Sequence, residues 1–218
     1  MDWYKSLVND PKKLRFKKHP DDELAHYAKV AYDIEYQTPF GWKEWEGIHW
    51  RGDWDLSRHG KFAKKDFTYT DQETKEKFVP WIVETSGGVD RTFLFLLLDA
   101  YREEEVKGKT RIFLKLNPKV APFKAAVFPL LANKPELVKK AKEVHRDLSK
   151  NYRVSWDARG NIGKRYFAQD EIGTPYCLTV DFETLKSDTL TVRDRDTTKQ
   201  ERIKIKELDS YLASKLKI

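Results

Sequence analysis

The sequence predicts an α/β protein in two halves, on three observations. Beyond a connector ending near Pro122, apolar segments follow the order strand–helix–strand–helix–strand–strand–helix, as a compact α/β domain does. Before about Gly108, stretches in which bulky and polar residues alternate lead into an apolar helix. Six of the seven tryptophans (Trp3, Trp42, Trp45, Trp50, Trp54, Trp81) lie in that first half, so the composition also changes between the halves.

Each element has its own signal. DDELAHYAKVAYDIEYQ opens with acids suited to a first helical turn and becomes β-like at YDIEY. PFGWKEWEGIHWRGDWDL alternates as one half-buried strand, and KFVPWIVE is another. RTFLFLLLDAYREEE is apolar nearly all round, which predicts a buried helix. VKGKTRIFLKLNPKVAP reads as a connector, and FKAAVFPL as a short strand. PELVKKAKEVHRDLSK puts Leu137, Val138, Ala141, Val144 and Leu148 on one helical face, with Pro135 near its start. YRVSWDA is a strand, NIGKRYFAQDEIG a short helix ended by Gly173, and PYCLTVDF and LTVRDRD are paired strands. KELDSYLASKL closes the chain as a helix. Residues from about Ala121 onward hold a complete alternation and are expected to fold independently.

Composition narrows the function classes. A chain of 218 residues with 39% hydrophobic and 35% charged residues can build a core under a heavily charged surface. No apolar run approaches the roughly 20 residues of a membrane span. MDWYKSLVND lacks the apolar region of a signal peptide. Cys177 is the only cysteine, which excludes an internal disulfide and argues against a cysteine-based zinc site. These features point to the cytoplasm and away from membrane partners. A net charge of +7 fits a polyanionic partner, nucleic acid first, and fits a lysine-rich solvated surface as well.

The densest chemistry lies in VETSGGVDRTFLFLLLDAY, Val83 to Tyr101. Glycines at the mouth of a helix let a ligand approach the backbone. An adjacent arginine can pair with phosphate and stack on a base. Glu84 and Ser86, two apart on a strand, share a face that suits a small ammonium group. The parts imply a nucleotide beside an amine. A tight turn whose Asp90 and Arg91 cap and solvate a core helix remains the alternative.

The same stretch resembles the third signature motif of class II aminoacyl-tRNA synthetases, in the form found in glycyl-tRNA synthetases. DELAHYAKVAYDIEYQTPFGWKEWEGIHWRGDWDLSRH resembles the family segment before that motif. GNIGKRYFAQDEIGTPYCLTVDF with TVRDRDT resembles the family's anticodon-binding domain. The resemblance implies that residues 1–110 are the C-terminal part of an α+β catalytic domain with an antiparallel sheet. Residues 111–218 would be an α/β anticodon-binding domain with a mixed sheet and flanking helices. It implies ATP-dependent attachment of glycine to tRNA(Gly) through glycyl-adenylate, with Mg2+ accompanying ATP. Arg91 would be the motif arginine on adenine and the terminal phosphate, with Glu44 a nucleotide-side carboxylate near magnesium. Trp45, Gly88, Val89 and Asp90 would complete the ATP site. Glu84, Ser86 and Gly88 would receive glycine, Arg51 its carboxylate, and Gly87 and Gly88 would keep the pocket floor thin. Such a narrow pocket rejects larger amino acids by steric exclusion.

Departures accompany the resemblance. Thr85 replaces the usual proline and Lys43 a usual glycine, and His49 and Trp50 stand where smaller or more polar residues are general. The family's first and second motifs do not precede DELAHY, so the chain is expected to be an incomplete enzyme, inactive alone. The family is homodimeric largely through the first motif. The alternative is a non-catalytic RNA-binding or accessory protein derived from the same parts.

Other candidates remain. His49, Asp53, Asp55 and His59 fit no standard metal spacing, so no metal site is expected from them. Cys177 is expected as a buried, inert thiol. Lys164, Arg165, Tyr166 and Phe167 combine phosphate-pairing cations with stacking rings, and with the resemblance they point to tRNA contact. Arg159, Gln169 and Glu171 are further candidates for base edges.

Overall fold

The computed structural model describes residues 1–106 and 108–217. The chain divides into two compact units: residues 1–6 with 10–95, and residues 7–9 with those from 96 onward. The first unit holds α1 (Asp2–Lys5), β1 (Leu14–Lys18), β2 (Val30–Thr38), β3 (Gly41–Gly52) and α2 (Trp54–Ala63). It continues with the small pair β4 (Tyr69–Thr70) and β5 (Lys77–Phe78), β6 (Ile82–Gly87) and the first half of α3 (Val89–Ala100). Four strands form an antiparallel sheet in the order β1-β2-β3-β6.

Local chemistry explains the sheet. Between β2 and β3, Gly41 takes φ +94°, while the Thr38 hydroxyl donates to Gly41 O at 2.7 Å and accepts from Phe40 N at 3.2 Å. Ile34 pairs with Glu46 and Glu35 with Glu44, so Trp45 is the extra residue of a β-bulge. Its indole is fully buried against Tyr4, Tyr36 and Phe95, and Nε1 donates to Thr92 Oγ1 at 2.9 Å.

Several expectations are corrected here. The acids of DDELAHY form only a 3-10 turn at Asp21–Glu23, and the chain is extended from Val30 by pairing with β3. The alternating run around Trp45 ends at Gly52, φ +61°, and the following residues form α2 instead of more strand. The apolar helix ends at Ala100 and is not buried all round: Phe95 is 3% exposed, Phe93 63% and Val89 83%.

In the second unit, Tyr101–Val106 is strand β7, paired antiparallel with β8 (Lys109–Leu114). Cross-strand hydrogen bonding therefore takes over YREEE from the helix, and the supposed connector contains a strand. Next come β9 (Ala125–Pro129), α4 (Pro135–Leu148), β10 (Val154–Trp156), α5 (Ile162–Glu171), β11 (Tyr176–Val180) and α6 (Phe182–Ser187). They are followed by β12 (Thr189–Asp194), β13 (Gln200–Lys204) and α7 (Leu208–Leu216). The sheet order is β10-β9-β11-β12-β13, with β9 parallel to β10 and β11, and β12 antiparallel to its neighbours. The short strand β13 and the helix α6 escaped the sequence reading.

The strands β9 and β11 are buried along their whole length because helices cover both faces. On one side lie Leu137, Ala141, Val144 and Leu148 of α4 with Leu208, Leu212 and Leu216 of α7. On the other, Ala126, Phe128 and Cys177 meet Ile162 and Tyr166 of α5. The β7–β8 pair is tied into this unit by charge. Asp170, fully buried, accepts from Arg111 Nε at 2.8 Å and from Arg193 Nη1 and Nη2 at 2.8 and 2.9 Å. Arg195 donates to the carbonyls of Gly173 and Leu116 at 2.7 and 2.9 Å. Antiparallel and mixed sheets with flanking helices make an α/β fold, as the sequence predicts. Among the described residues no helix is long and apolar enough to cross a membrane.

Candidate functional site

In the first unit, register decides which side chains share a face. Opposite residues of antiparallel strands project to the same side. Asp33, Gly47 and Ser86 therefore form one row across β2, β3 and β6, and Ala31, His49 and Glu84 form the next. The His49 side chain lies over Gly47 in the middle of its row: a Cβ there would stand 2.9 Å from His49 Cε1. Gly87 is opposite Glu46 and faces the other side, with Tyr4 Oη 3.5 Å from where its Cβ would stand. Gly87 therefore does not lie on the face of Glu84 and Ser86, which corrects the expectation for that residue.

Arg51 sits at the end of this face. Its Nε and Nη2 grip Asp55 at 2.7 Å each, Nη1 donates to Glu84, and the guanidinium lies 4.0 Å from the centre of the Tyr27 ring. These bonds, from Asp55 first and Glu84 second, hold the Arg51 pKa above its ordinary value and lower that of Asp55. Glu84 and Arg51 were expected as separate contacts to the two ends of an amino acid; here they pair with each other. Behind them, His19 Nε2 lies 2.8 Å from Asp33 Oδ2.

The turn after β6 leads directly into α3, so Arg91 lies in the first turn of the helix. Its Nη1 is 3.1 Å from both Glu44 Oε1 and Glu44 O, and both side chains are about half exposed. A cavity of about 530 Å³ opens beside the pair, walled by Phe40, Leu94 and Phe95 and edged by Lys43, Glu44, Asp90 and Arg91. A second, of about 450 Å³, shares Glu44, Asp90 and Arg91 and adds Ser86, Gly88 and Val89. The two form one groove along the helix mouth. It gathers every nucleotide-side candidate except Trp45. That indole is corrected to a core residue, because the bulge turns it inward.

The second unit divides its candidates. Arg165 is 2% exposed, donating to Pro129 O at 2.5 Å and Gly160 O at 3.2 Å, so it is not a surface phosphate contact. Gln169 is buried between Ser155 Oγ and Thr174 Oγ1, at 3.2 and 2.7 Å, which removes it as a reader of base edges. Tyr166 packs on Phe128 with its hydroxyl 2.7 Å from Thr179 Oγ1, and burial raises its pKa. Lys164, Phe167, Glu171 and Arg159 remain exposed, Arg159 leaning on Asp157 at 3.1 Å. Helical periodicity explains the division: 165, 166 and 169 turn toward the sheet while 164, 167 and 171 turn away. The sequence carried that signal, but residue type drew attention first. Gly47 and Tyr27 also escaped the sequence reading, which weighed Asp55 only as a metal candidate; the alternation of β3 could have indicated Gly47 alone.

Residues 124–215 match the family described as anticodon binding domain, and this match covers the five-stranded sheet of the second unit and the helices α4 to α7. The matched residues therefore resemble an anticodon-binding domain, and β7 and β8 lie outside the match. Over nearly its full length the chain is also similar to glycine–tRNA ligases. It is 54% identical to that of Chlorobaculum tepidum over 215 residues, 98% of this chain and 45% of the relative. It is 50% identical to that of Borreliella burgdorferi over 214 residues, 97% of this chain and 48% of the relative. With that of Caldanaerobacter subterraneus subsp. tengcongensis the figures are 48% over 217 residues, 100% and 46%. The chain spans a little under half the length of the curated relatives it matches.

Proposed function

We propose that the protein serves ATP-dependent ligation of glycine to tRNA(Gly) in the cytoplasm, with the sheet face and groove of the first unit contacting glycyl-adenylate and the second unit contacting tRNA. The observation that carries the reading is the placement of Arg91 and Glu44 in one groove with Ser86 and Gly88. The groove suits ATP: Phe40, Leu94 and Phe95 offer apolar walls to a base, and Arg91 offers donors to phosphate. Glu44 and Asp90 are hard oxygen donors fit for Mg2+, which takes one or two protein carboxylates and completes its shell with phosphates and water. The ion would neutralise phosphate charge there.

The Arg51–Glu84 pair matches a zwitterion in reverse. An amino acid entering beside Ser86 offers its ammonium to Glu84 and its carboxylate to Arg51, replacing one internal pair with two charge-assisted contacts. Asp55 keeps the guanidinium in place meanwhile. The His49 imidazole over Gly47 limits this face to a small substrate.

The test is calorimetric titration of the protein with a non-hydrolysable glycyl-adenylate analogue and, separately, with tRNA(Gly). Arg91→Ala and Glu84→Gln should each weaken the analogue about tenfold or more, the scale of a charged hydrogen bond. Lys164→Ala should make the slope of log affinity for tRNA against log salt shallower by about one unit. Binding of tRNA with no analogue binding would favour the RNA-binding accessory reading; loss of both would overturn the proposal.

A further inference from the structure

We infer that His49 is a specificity-determining residue of the amino-acid face: its Nδ1 accepts the third hydrogen of the substrate ammonium, so the site takes an unsubstituted primary ammonium and rejects an N-alkylated one. The inference rests on the glycyl-adenylate reading above and adds to it a residue and a second basis of selection, at the nitrogen of the substrate.

Register places the imidazole. His49 of β3 stands opposite Glu84 of β6, and Gly47 stands opposite Ser86. All four positions project to one face. From the position of a Cβ at Gly47, His49 Cε1 would be 2.9 Å away and Nδ1 3.5 Å, so it is a glycine that admits the ring. The ring edge carrying Nδ1 therefore leans over the row of Ser86, one row from Glu84. There Nδ1 is buried, and among the described residues it has no hydrogen-bond partner. The polar groups around it are engaged elsewhere. Arg51 holds Asp55 and Glu84, and His19 Nε2 lies 2.8 Å from Asp33 Oδ2. The His19 and Tyr27 rings face His49 edge-on, with centres 6.1 and 6.4 Å away. A buried acceptor left unpaired costs free energy, and an N–H from a ligand seated on this face recovers it.

The hydrogens of the ligand supply the complement. A primary ammonium carries three N–H donors and no acceptor. On this face the Glu84 carboxylate takes one and the Ser86 hydroxyl a second. The neutral imidazole, with its proton on Nε2, offers Nδ1 as the third acceptor without adding charge. Asp33, at the far end of the Ser86 row, is the other oxygen within reach of that row, and His19 lies against it. An N-methyl group removes one donor and sets carbon against the ring. It leaves Nδ1 buried and unpaired, which is the arrangement that discriminates strongly between close analogues.

The experiment titrates the full chain calorimetrically with a non-hydrolysable glycyl-adenylate analogue and with the same molecule methylated on its amine, for the wild type, His49→Ala and His49→Asn. Asparagine keeps an acceptor oxygen at the branch position that Nδ1 occupies, and alanine keeps none. The wild type should prefer the unmethylated analogue by about tenfold or more, the scale of one charged hydrogen bond. His49→Ala should weaken the unmethylated analogue about tenfold and bring the two affinities together. His49→Asn should restore both the affinity and the preference. A pH series isolates the imidazole from the groups around it, His19, Tyr27, Asp33, Arg51, Asp55 and Glu84, because wild type and His49→Asn share them all. A protonated Nδ1 donates instead of accepting, so from about pH 8 to about pH 5.5 the wild type should lose affinity more steeply than His49→Asn. Equal affinity in wild type and His49→Ala, a methyl preference that survives in His49→Ala, or parallel pH slopes would overturn the assignment. If Arg91→Ala still weakens the analogue in that case, the glycyl-adenylate reading stands without it. If His49→Asn behaves as His49→Ala, the ring acts through its bulk and the hydrogen bond is overturned. A wild type that binds neither analogue overturns the glycyl-adenylate reading and the assignment together.

Discussion

Asp170 is the residue on which most of the second unit's buried charge converges. It is fully buried and accepts from two guanidinium groups, Arg111 and Arg193, which bring β8 and β12 to α5. Asp170→Asn keeps the shape and removes the charge that both arginines need. The expected loss is about 3–5 kcal/mol, read from the urea midpoint at constant m-value. A change below 1 kcal/mol would mean that Glu104, which also accepts from Arg111, compensates. Cys177 illustrates the opposite case, a group kept neutral. Burial pushes its thiol up to about 12, from 9.0. At pH 8 only about one thiol in ten thousand is then ionised, so an alkylating reagent should leave the native protein unmodified and label it in urea. The sign for stability follows: the contribution is complete below pH 9 and is lost as pH rises toward 12. Fast labelling of the native chain at pH 8 would contradict the burial.

Among the elements, α5 depends most on how it ends. Gly173 lies past its C-terminus at φ +79°, a conformation that favours glycine, and a Cβ there would stand 2.7 Å from Leu116 Cδ1 and 3.1 Å from Leu114 O. The leucine side chain can move, but the carbonyl belongs to a paired strand. Gly173→Ala should therefore cost about 1–3 kcal/mol, measured by thermal or chemical unfolding. Just past the end of the central strand β11, Asp181 caps α6 by accepting from Thr184 N at 2.9 Å and pairs with Arg202. Burial raises the Asp181 pKa, but the bonds from Arg202 and Thr184 outweigh it, and the net shift is downward. Its contribution is present above the ordinary carboxylate range and is lost as pH falls through it.

On the scale of the molecule, the β7–β8 pair belongs to the second compact unit. A piece beginning at residue 121 loses Arg111 and the Leu116 carbonyl that accepts from Arg195. It also loses Leu114 and Leu116, which pack around Ala121. The piece from residue 96 keeps them all. The shorter piece should be less stable by at least about 3 kcal/mol, with a lower midpoint in parallel urea titrations. Equal midpoints would show that the hairpin adds nothing to the unit. The expectation that residues from Ala121 onward fold alone thus becomes a quantitative comparison between two starting points.

The sequence by itself determined the strand–helix alternation from β9 to β11, the apolar face of α4, the buried Cys177 and the glycine mouth of α3. These rest on local period and on residues whose effect is confined to a turn or a helix end. Only the tertiary structure decided that YREEE is a strand, because its partners lie across a hairpin. It also decided that Trp45 is core, because a bulge in β3 turns it inward. It decided that Arg165 and Gln169 are interior, because the sheet lies on their side of α5 and claims their donors. A residue's type states what chemistry it can offer; which of its neighbours receives that chemistry is fixed by strands and helices far along the chain.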